Sequence, residues 1–319
     1  MTRRKARWAS SAFLVAFALQ AGCAARGPEV ATAVPASGVP PGARATPLLW
    51  RASGPVEDDG FFFLLGSIHV GRPAGVDFGV QAAEAFAACD ELVVEVDLST
   101  LTAEEIVEQT ARHVLLPDGQ TLRGTLSDET YALLEAHLTS RGTPMAAVDR
   151  LKPWAVSTFL SMLEFEAAGL LGDYGVDKHF IERAAGRRPI RGLETLQSQL
   201  ELLDGLSPTI QDLMLADALL RMEDVAPESA ELVGAWERGD EAVLMRLLFG
   251  SLEEHPELAD FYEAVFFARN EAMADQLAAL LGDGKRRFVV LGVGHMVGPR
   301  GIPGLLASRG LRVQRIGGR

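Results

Sequence analysis

The stretch FVVLGVGHMVG at residues 288–298 has the same outline as FFFLLGSIHVG at residues 61–71. Each consists of an apolar run, a glycine–x–x–histidine motif and a further glycine. The first motif runs from Gly66 to His69 and the second from Gly292 to His295. An apolar run that ends in glycine is typical of a buried β-strand followed by a sharp turn. We therefore expect both motifs to end strands of one sheet, at the carboxyl edge where open α/β folds place their sites.

The remaining pattern predicts the fold class. Short apolar runs that predict strands are LLWRAS (48–53), FFFLLGSI (61–68), ELVVEVDL (91–98), RPIRGL (188–193), RFVVLGV (287–293) and LRVQRI (311–316). Helical periodicity occurs at 78–88, 102–113, 127–140, 153–171, 176–186, 195–204, 207–222, 228–249 and 257–282. This pattern predicts an α/β (α+β) fold, with a central mixed β-sheet built from both ends of the domain and a large helical insertion at about 100–280.

The two histidines are candidate metal ligands. A histidine three residues after a strand-ending glycine projects from a rigid turn, and two neutral imidazoles offer nitrogen donors to a divalent ion. A catalytic ion would also need a carboxylate and an open position for water. The alternative is that each histidine only satisfies a backbone carbonyl at the end of its strand.

Glu95 is the candidate carboxylate. In ELVVEVDL, at 91–98, the two-residue period of a strand places Glu95 on the same face as Val93 and Asp97. A carboxylate buried in an apolar strand is costly unless it is paired, protonated or bound to metal. If buried, Glu95 would ligate a metal or act as a general base toward a metal-bound water. The alternative is an edge strand with one solvated face.

Composition and absent motifs exclude several classes of protein. The 319 residues are 48% hydrophobic, enough for a sizeable core, and the net charge is -13 without a basic block after residue 7. Nucleic acid is therefore not an expected partner. The sequence contains no Gly-x-Ser-x-Gly, Walker, HExxH or CxxC motif. Asp177 and His179 are possible ligands, but their pattern is more typical of a helical surface.

The N-terminus predicts export. MTRRKAR (1–7) is positively charged and WASSAFLVAFALQAG (8–22) is a short apolar stretch, so residues 1–23 form a leader. Gly22 and Cys23 resemble a bacterial lipoprotein processing site, which would attach the protein to a membrane through a lipid on Cys23; cleavage at a nearby small residue is the alternative. Residues 24–46, rich in Ala, Pro and Gly, predict a flexible linker before a domain at 47–319. We expect a protein of the bacterial cell envelope, either periplasmic or membrane-anchored, with Cys89 packed as a small apolar residue.

These segments together resemble the TraB/GumN family, which includes the Tiki-type proteases and is related to erythromycin-esterase-like and ChaN-like proteins. The resemblance covers residues 47–317. It is carried by LLGSIHVG (64–71), LVVEVDL (92–98), YGVDKHFIERA (174–184), IRGLETLQSQ (190–199), ARNEAMA (268–274), VVLGVGHMVG (289–298) and GLRVQRIG (310–317).

The resemblance implies a metal-dependent protease site. The family's two Gly-x-x-His motifs and its glutamate correspond to Gly66 and His69, Gly292 and His295, and Glu95. These residues would hold Mn, Co or Zn. Two further recurrent pairs of the family correspond to Arg269 with Asn270 and to Glu194 with Gln199. On local pattern, those pairs are equally consistent with a solvated helix face and a cluster at a helix start.

Three functions remain open on sequence alone. The favoured one is a metal-dependent hydrolase, specifically a peptidase, that acts on a peptide or small-molecule substrate. The second is a metal-independent esterase-like hydrolase with His69 or His295 as general base. The third is a non-catalytic envelope lipoprotein that binds haem or another ligand.

Overall fold

The computed structural model describes residues 45–56, 60–254 and 256–317. The leader at 1–23, the lipid attachment at Cys23 and the linker up to residue 44 lie outside these described residues, so they stay predictions. Within the described part of the chain, no helix has the length and apolar character required to cross a membrane. Cys89 is buried in the main core, as expected.

A six-stranded mixed sheet forms the centre of the domain, and all six predicted strand runs are confirmed. The strands are β1 (Leu49–Ser53), β2 (Phe61–Ser67), β3 (Glu91–Val96), β4 (Ile190–Glu194), β5 (Arg286–Gly292) and β6 (Arg312–Ile316). Their order is β4-β3-β5-β2-β1-β6. The neighbours β4, β3, β5 and β2 are parallel, whereas β1 is antiparallel to both β2 and β6. The carboxyl ends of four adjacent strands therefore lie along one edge.

Helices fill most of the chain between the strands. They are α1 (Gly79–Ala87), α2 (Ala103–Val114), α3 (Leu122–Thr125), α4 (Asp128–Ser140), α5 (Pro153–Ala167), α6 (Val176–Ala184), α7 (Leu196–Asp204), α8 (Pro208–Leu220), α9 (Val225–Arg238), α10 (Glu241–Glu254), α11 (Ala259–Tyr262), α12 (Ala268–Ala279) and α13 (Ile302–Ser308). A π-helical turn, Glu263–Phe267, joins α11 to α12. The predicted α/β class is confirmed.

One predicted helix is wrong in detail. The periodic stretch 228–249 is divided into α9 and α10 because Gly239 adopts a left-handed conformation with φ of +61°. This is the common glycine ending of a helix. Apolar periodicity continues across the break because both helices present apolar faces to the same core.

The middle of the chain contributes more than helices. β4 comes from within the predicted insertion and pairs with β3, so the sheet is not built from the chain ends alone. The same region has a second hydrophobic cluster, separate from the core that surrounds the sheet. This cluster comprises Leu116, Leu122, Leu126, Leu134, Leu138, Val148, Val156, Leu160, Leu215, Ala218 and Met222.

A buried ion pair joins β3 and β5 at their amino ends. Arg287, which is 1% exposed, donates from Nε to Glu91 Oε2 at 2.6 Å, and the two residues are register partners. Arg287 also donates to the Leu280 carbonyl at 2.7 Å and pairs with Asp283. Because a buried guanidinium needs all its donors satisfied, these contacts set the register at this end of the sheet.

Arg287→Met should destabilise the fold by about 3 kcal/mol, because the buried carboxylate of Glu91 loses its fully buried partner and keeps the pair with Arg191, which is 45% exposed. The matched control is Arg286→Met, which removes a partly exposed pair with Asp90 and should lower the free energy of unfolding far less. Urea denaturation of the three proteins measures the difference. Equal and small losses in both variants would contradict a structural role for the buried pair.

Candidate functional site

The carboxyl edge of the sheet brings the two glycine–histidine motifs together. β2 and β5 are parallel neighbours, with Gly66 opposite Leu291 and Ser67 opposite Gly292. His69 follows the end of β2, and His295 lies in the 3-10 turn directly after β5. The parallel strands end at one edge, so two histidines that are distant in sequence face a common space.

Gly292 lies at the base of the space between the two histidines and Glu95. A Cβ atom at this position would lie 3.0 Å from Glu95 Oε1, 3.1 Å from His69 Nε2 and 3.7 Å from His295 Cδ2. The backbone N–H of Gly292 donates to Glu95 Oε1 at 2.6 Å. Glycine is needed here for close approach rather than for its φ angle, since three functional side chains meet above its Cα atom.

Glu95 is buried, and the edge-strand alternative is wrong because β3 lies between β4 and β5. Its second oxygen, Oε2, accepts from Arg269 Nη2 at 3.0 Å and from Gln199 Nε2 at 3.4 Å. Burial would raise the pKa of Glu95, but His295 when protonated, Arg269, His69 and the Gly292 N–H together lower it to about 2. Glu95 is therefore a carboxylate with weak affinity for a proton.

Arg269 is held by a second carboxylate. Its Nε and Nη2 donate to Glu194 at 2.8 and 2.6 Å, and Nη1 donates to the Val265 carbonyl at 2.8 Å. Glu194 ends β4 and also accepts from Gln199 Nε2 at 2.9 Å. The interpretation of Arg269 and Asn270 as a solvated helix face is therefore wrong, because both are buried, whereas Glu194 and Gln199 do flank the start of a helix. Arg269 and Gln199 are buried and connect two carboxylates.

The chain turns from β4 into α7 directly beside this network. Thr195 caps α7 by accepting from the Ser198 backbone N–H at 3.0 Å, so the helix begins at Leu196, two residues after Glu194. Gln199 consequently lies on the first turn of α7, where it faces the end of β4. Local capping chemistry therefore positions the glutamine next to Glu194 and Glu95.

His295 is buried and contacts Asn270. Its Nδ1 lies 2.5 Å from Asn270 Oδ1, and Asn270 Nδ2 donates to the Arg300 carbonyl at 2.8 Å. Its Nε2 faces Glu95 Oε2 at 3.8 Å. Burial and the positive charge of Arg269 lower the pKa of His295 to about 4, so the ring is uncharged at neutral pH.

His69 has a different environment. Its Nδ1 lies 3.3 Å from Asp177 Oδ1, within ion-pair distance. Burial lowers the pKa of His69, but the carboxylates of Asp177 and Glu95 outweigh that effect and raise it to about 9. The side chain of His69 is 11% exposed, against 5% for Glu95 and 3% for His295. Of the three side chains, that of His69 is therefore the most accessible to solvent.

The prediction that Asp177 lies on a helical surface is wrong. Asp177 lies in the first turn of α6, and the surface reading does not hold because its side chain is 15% exposed and directed at His69. The Val176 N–H donates to the Ile68 carbonyl at 2.9 Å, which ties the start of α6 to the first motif. His179, the other possible ligand, instead packs its ring against Phe78 at a centroid distance of 4.8 Å.

Trp236 was also missed. It lies on α9, is fully buried, and donates from Nε1 to the Gly66 carbonyl at 2.7 Å. This bond fixes the glycine of the first motif from outside the sheet. No local sequence signal connects the two residues, since a buried tryptophan is ordinary in a core helix.

The donor types at this edge suit a divalent ion. His69 Nε2, His295 Nε2 and the Glu95 carboxylate meet around Gly292, and two imidazoles with one carboxylate form a common catalytic ligand set. Across residues 45–56, 60–254 and 256–317, no three His, Cys, Asp or Glu side chains are already spaced as a complete metal site.

The comparison with known proteins gives the family. The TraB/PrgY/gumN family model matches residues 48–315, so the chain belongs to the TraB/PrgY/gumN family, as its motifs predicted. The uncharacterized protein YbaP of Escherichia coli (strain K12) is 23% identical over 250 residues, which is 77% of this chain and 87% of that protein. An uncharacterized protein of Treponema pallidum (strain Nichols) is 21% identical over 280 residues, or 83% and 81% of the two chains. No solved structure matches the chain.

Acid should remove the stabilisation that Glu95 gives the metal-free protein. Its folded pKa of about 2 lies below the ordinary 4.5, so the carboxylate stabilises the fold fully above that ordinary value and progressively less as the pH falls toward 2. Urea denaturation should therefore show the wild type to be more stable than Glu95→Gln at about pH 7, with a smaller difference at about pH 3.

The control for this measurement is Glu135→Gln, on the exposed side of α4. It should change the free energy of unfolding by less than about 0.5 kcal/mol at either pH. A Glu95→Gln difference that stays constant on acidification would contradict the lowered pKa of Glu95.

Proposed function

We propose that this protein is an exported metal-dependent hydrolase, specifically a peptidase, with its site at the carboxyl edge of the sheet. The observation that carries the proposal is the meeting of His69 Nε2, His295 and the Glu95 carboxylate over Gly292, where no side chain fits. The resemblance to Tiki-type proteases supports the same reading. The leader and Cys23 support a location in the bacterial cell envelope, periplasmic or membrane-anchored.

In this proposal His69, His295 and Glu95 hold a divalent ion of the Mn, Co or Zn type. The ion would supply Lewis-acid polarisation of a scissile carbonyl. Each ligand has an orienting partner in the chain: Asp177 faces His69, Asn270 contacts His295, and Arg269 and Gly292 hold Glu95. Such outer contacts are the usual companions of metal ligands.

The environment of Glu95 favours the role of ligand over that of general base. Both its oxygens already accept hydrogen bonds, and its pKa of about 2 makes it a poor proton acceptor near neutral pH. Its negative charge instead balances the positive charge gathered at this edge. Of the two roles that the sequence left open for Glu95, metal ligand and general base, we therefore favour metal ligand.

The pKa values of the two histidines weigh against a metal-free mechanism in which a histidine is the general base. A general base works best with a pKa near the working pH. His69, with a pKa of about 9, retains its proton at neutral pH, and His295, with a pKa of about 4, attracts a proton only weakly. An ion that replaces the proton of His69 would use both rings as neutral ligands.

The purified protein should retain about one divalent ion per chain after incubation with Mn, Co or Zn and desalting. His69→Ala and His295→Ala should each lose the ion, because each removes one of the imidazole donors, and Glu95→Ala should weaken its retention strongly. Metal content is measured by inductively coupled plasma mass spectrometry. His137→Ala, on α4 and outside the site, is the matched control and should retain the ion.

Retention of no ion by the wild type would overturn the metal-dependent proposal. Ester or peptide hydrolysis that persists in chelator and is lost in His69→Ala would then identify the metal-independent hydrolase. A tightly bound haem or other small molecule without turnover would identify the binding protein.

Gly292→Ala should abolish metal retention and hydrolysis, because the added methyl group would occupy the space between Glu95 and His69. Gly124→Ala is the matched control, since a Cβ there meets no atom within 4 Å. The control should keep its activity and change the free energy of unfolding by less than about 1 kcal/mol. A Gly292→Ala protein that binds metal as the wild type does would show that the ion, if any, lies elsewhere.

A further inference from the structure

Asn270 connects the second motif to a backbone carbonyl. It is 1% exposed, lies on α12, and joins His295 Nδ1 at 2.5 Å to the Arg300 carbonyl at 2.8 Å. We propose that Asn270 is a positioning residue, which holds His295 in the tautomer that carries its proton on Nδ1 and thereby presents the lone pair of Nε2 to Glu95. The use of that lone pair as a ligand rests on the proposed function, whereas the tautomer is a property of the metal-free chain.

The Arg300 carbonyl decides the orientation of the Asn270 amide. A carbonyl oxygen can only accept a hydrogen bond, so the amide NH2 must face it. The reverse orientation would place two oxygens 2.8 Å apart with no hydrogen between them. The amide oxygen therefore faces His295, and because that oxygen is an acceptor, Nδ1 of His295 must be the donor.

The carbonyl of Arg300 is itself held in place. The guanidinium of Arg300 donates to Glu263 at 2.7 and 2.9 Å and lies over the ring of Phe267 at 4.1 Å. Glu263 and Phe267 are the first and last residues of the π-helical turn that precedes α12. The segment that carries Asn270 therefore also anchors the carbonyl that orients Asn270.

This tautomer explains why His295 Nε2 and Glu95 Oε2 lie 3.8 Å apart without a hydrogen bond between them. With the ring proton on Nδ1, both atoms are acceptors, and no hydrogen lies between them. A cation between them would satisfy both. In the other tautomer, Nε2–H would donate to Glu95, and the resulting hydrogen bond would close the space to a cation. Asn270 thus keeps His295 from bonding to Glu95.

The test measures the histidine tautomer directly by long-range proton–nitrogen NMR on the metal-free protein with nitrogen-15-labelled histidine, at neutral pH. His295 is assigned by comparison with His295→Ala. The wild type should show the Nδ1–H tautomer. Asn270→Leu, of similar size but without an acceptor, should change His295 to Nε2–H. Asn270→Asp keeps an acceptor beside Nδ1 and should retain the wild-type tautomer, although its carboxylate opposes the Arg300 carbonyl.

The wild-type spectrum alone can overturn the proposal, even if Asn270→Leu fails to fold: a proton on His295 Nε2 would do so. A folded Asn270→Leu that keeps Nδ1–H would also overturn it. In a second readout, Asn270→Leu should weaken Zn binding about 10- to 100-fold, with a smaller loss in Asn270→Asp. Because the tautomer is measured without metal, an Nδ1–H wild type that retains no ion would reject the proposed function and leave the role of Asn270 intact.

Discussion

The buried charge of Glu95 is the constraint on which the carboxyl edge of the sheet depends. A carboxylate inside a central strand is tolerated only with full compensation, and here it comes from the guanidinium of Arg269 and the backbone of Gly292. Arg269 is itself buried and requires Glu194, which in turn accepts from Gln199. The burial of Glu95 in β3 thus requires a carboxylate at the end of β4 and polar partners on α7 and α12.

This dependence explains why the middle of the chain belongs to the site. β3 and the turns that follow β2 and β5 supply the three candidate ligands. The segments between β3 and β5 supply the residues that hold those ligands in place: Asp177, Gln199, Arg269 and Asn270. The division is physical: strand ends are rigid and bring distant residues together, whereas helices can be added around them to orient each side chain. The helices therefore determine the arrangement of the candidate site as much as the sheet does.

The sequence was sufficient for the fold class, the six strands and the two motifs, because apolar runs, helical periodicity and strand-ending glycines are local signals. It was insufficient where a tertiary contact, rather than the local pattern, determines the environment of a residue. The polar pattern around Asp177 is that of an exposed helix, and only the packing of α6 beside the first motif buries that residue. Gly239 divides one long apolar pattern into two helices, and the pattern does not reveal the break because both helices face one core. The bond from Trp236 to Gly66 joins residues with no local relation.

β3 and β5 are fastened at both ends, by Arg287 with Glu91 at the amino edge and by Gly292 with Glu95 at the carboxyl edge. Sliding of one strand along the other would break a buried charged contact at each end, so relative shear of this pair is costly. Motions at the carboxyl edge must therefore arise in the surrounding helices, above all near His69, while β3 and β5 keep their relative position. In amide hydrogen exchange, the amides between these two contacts would belong to the slowest class, and those at the start of α6 to a faster one.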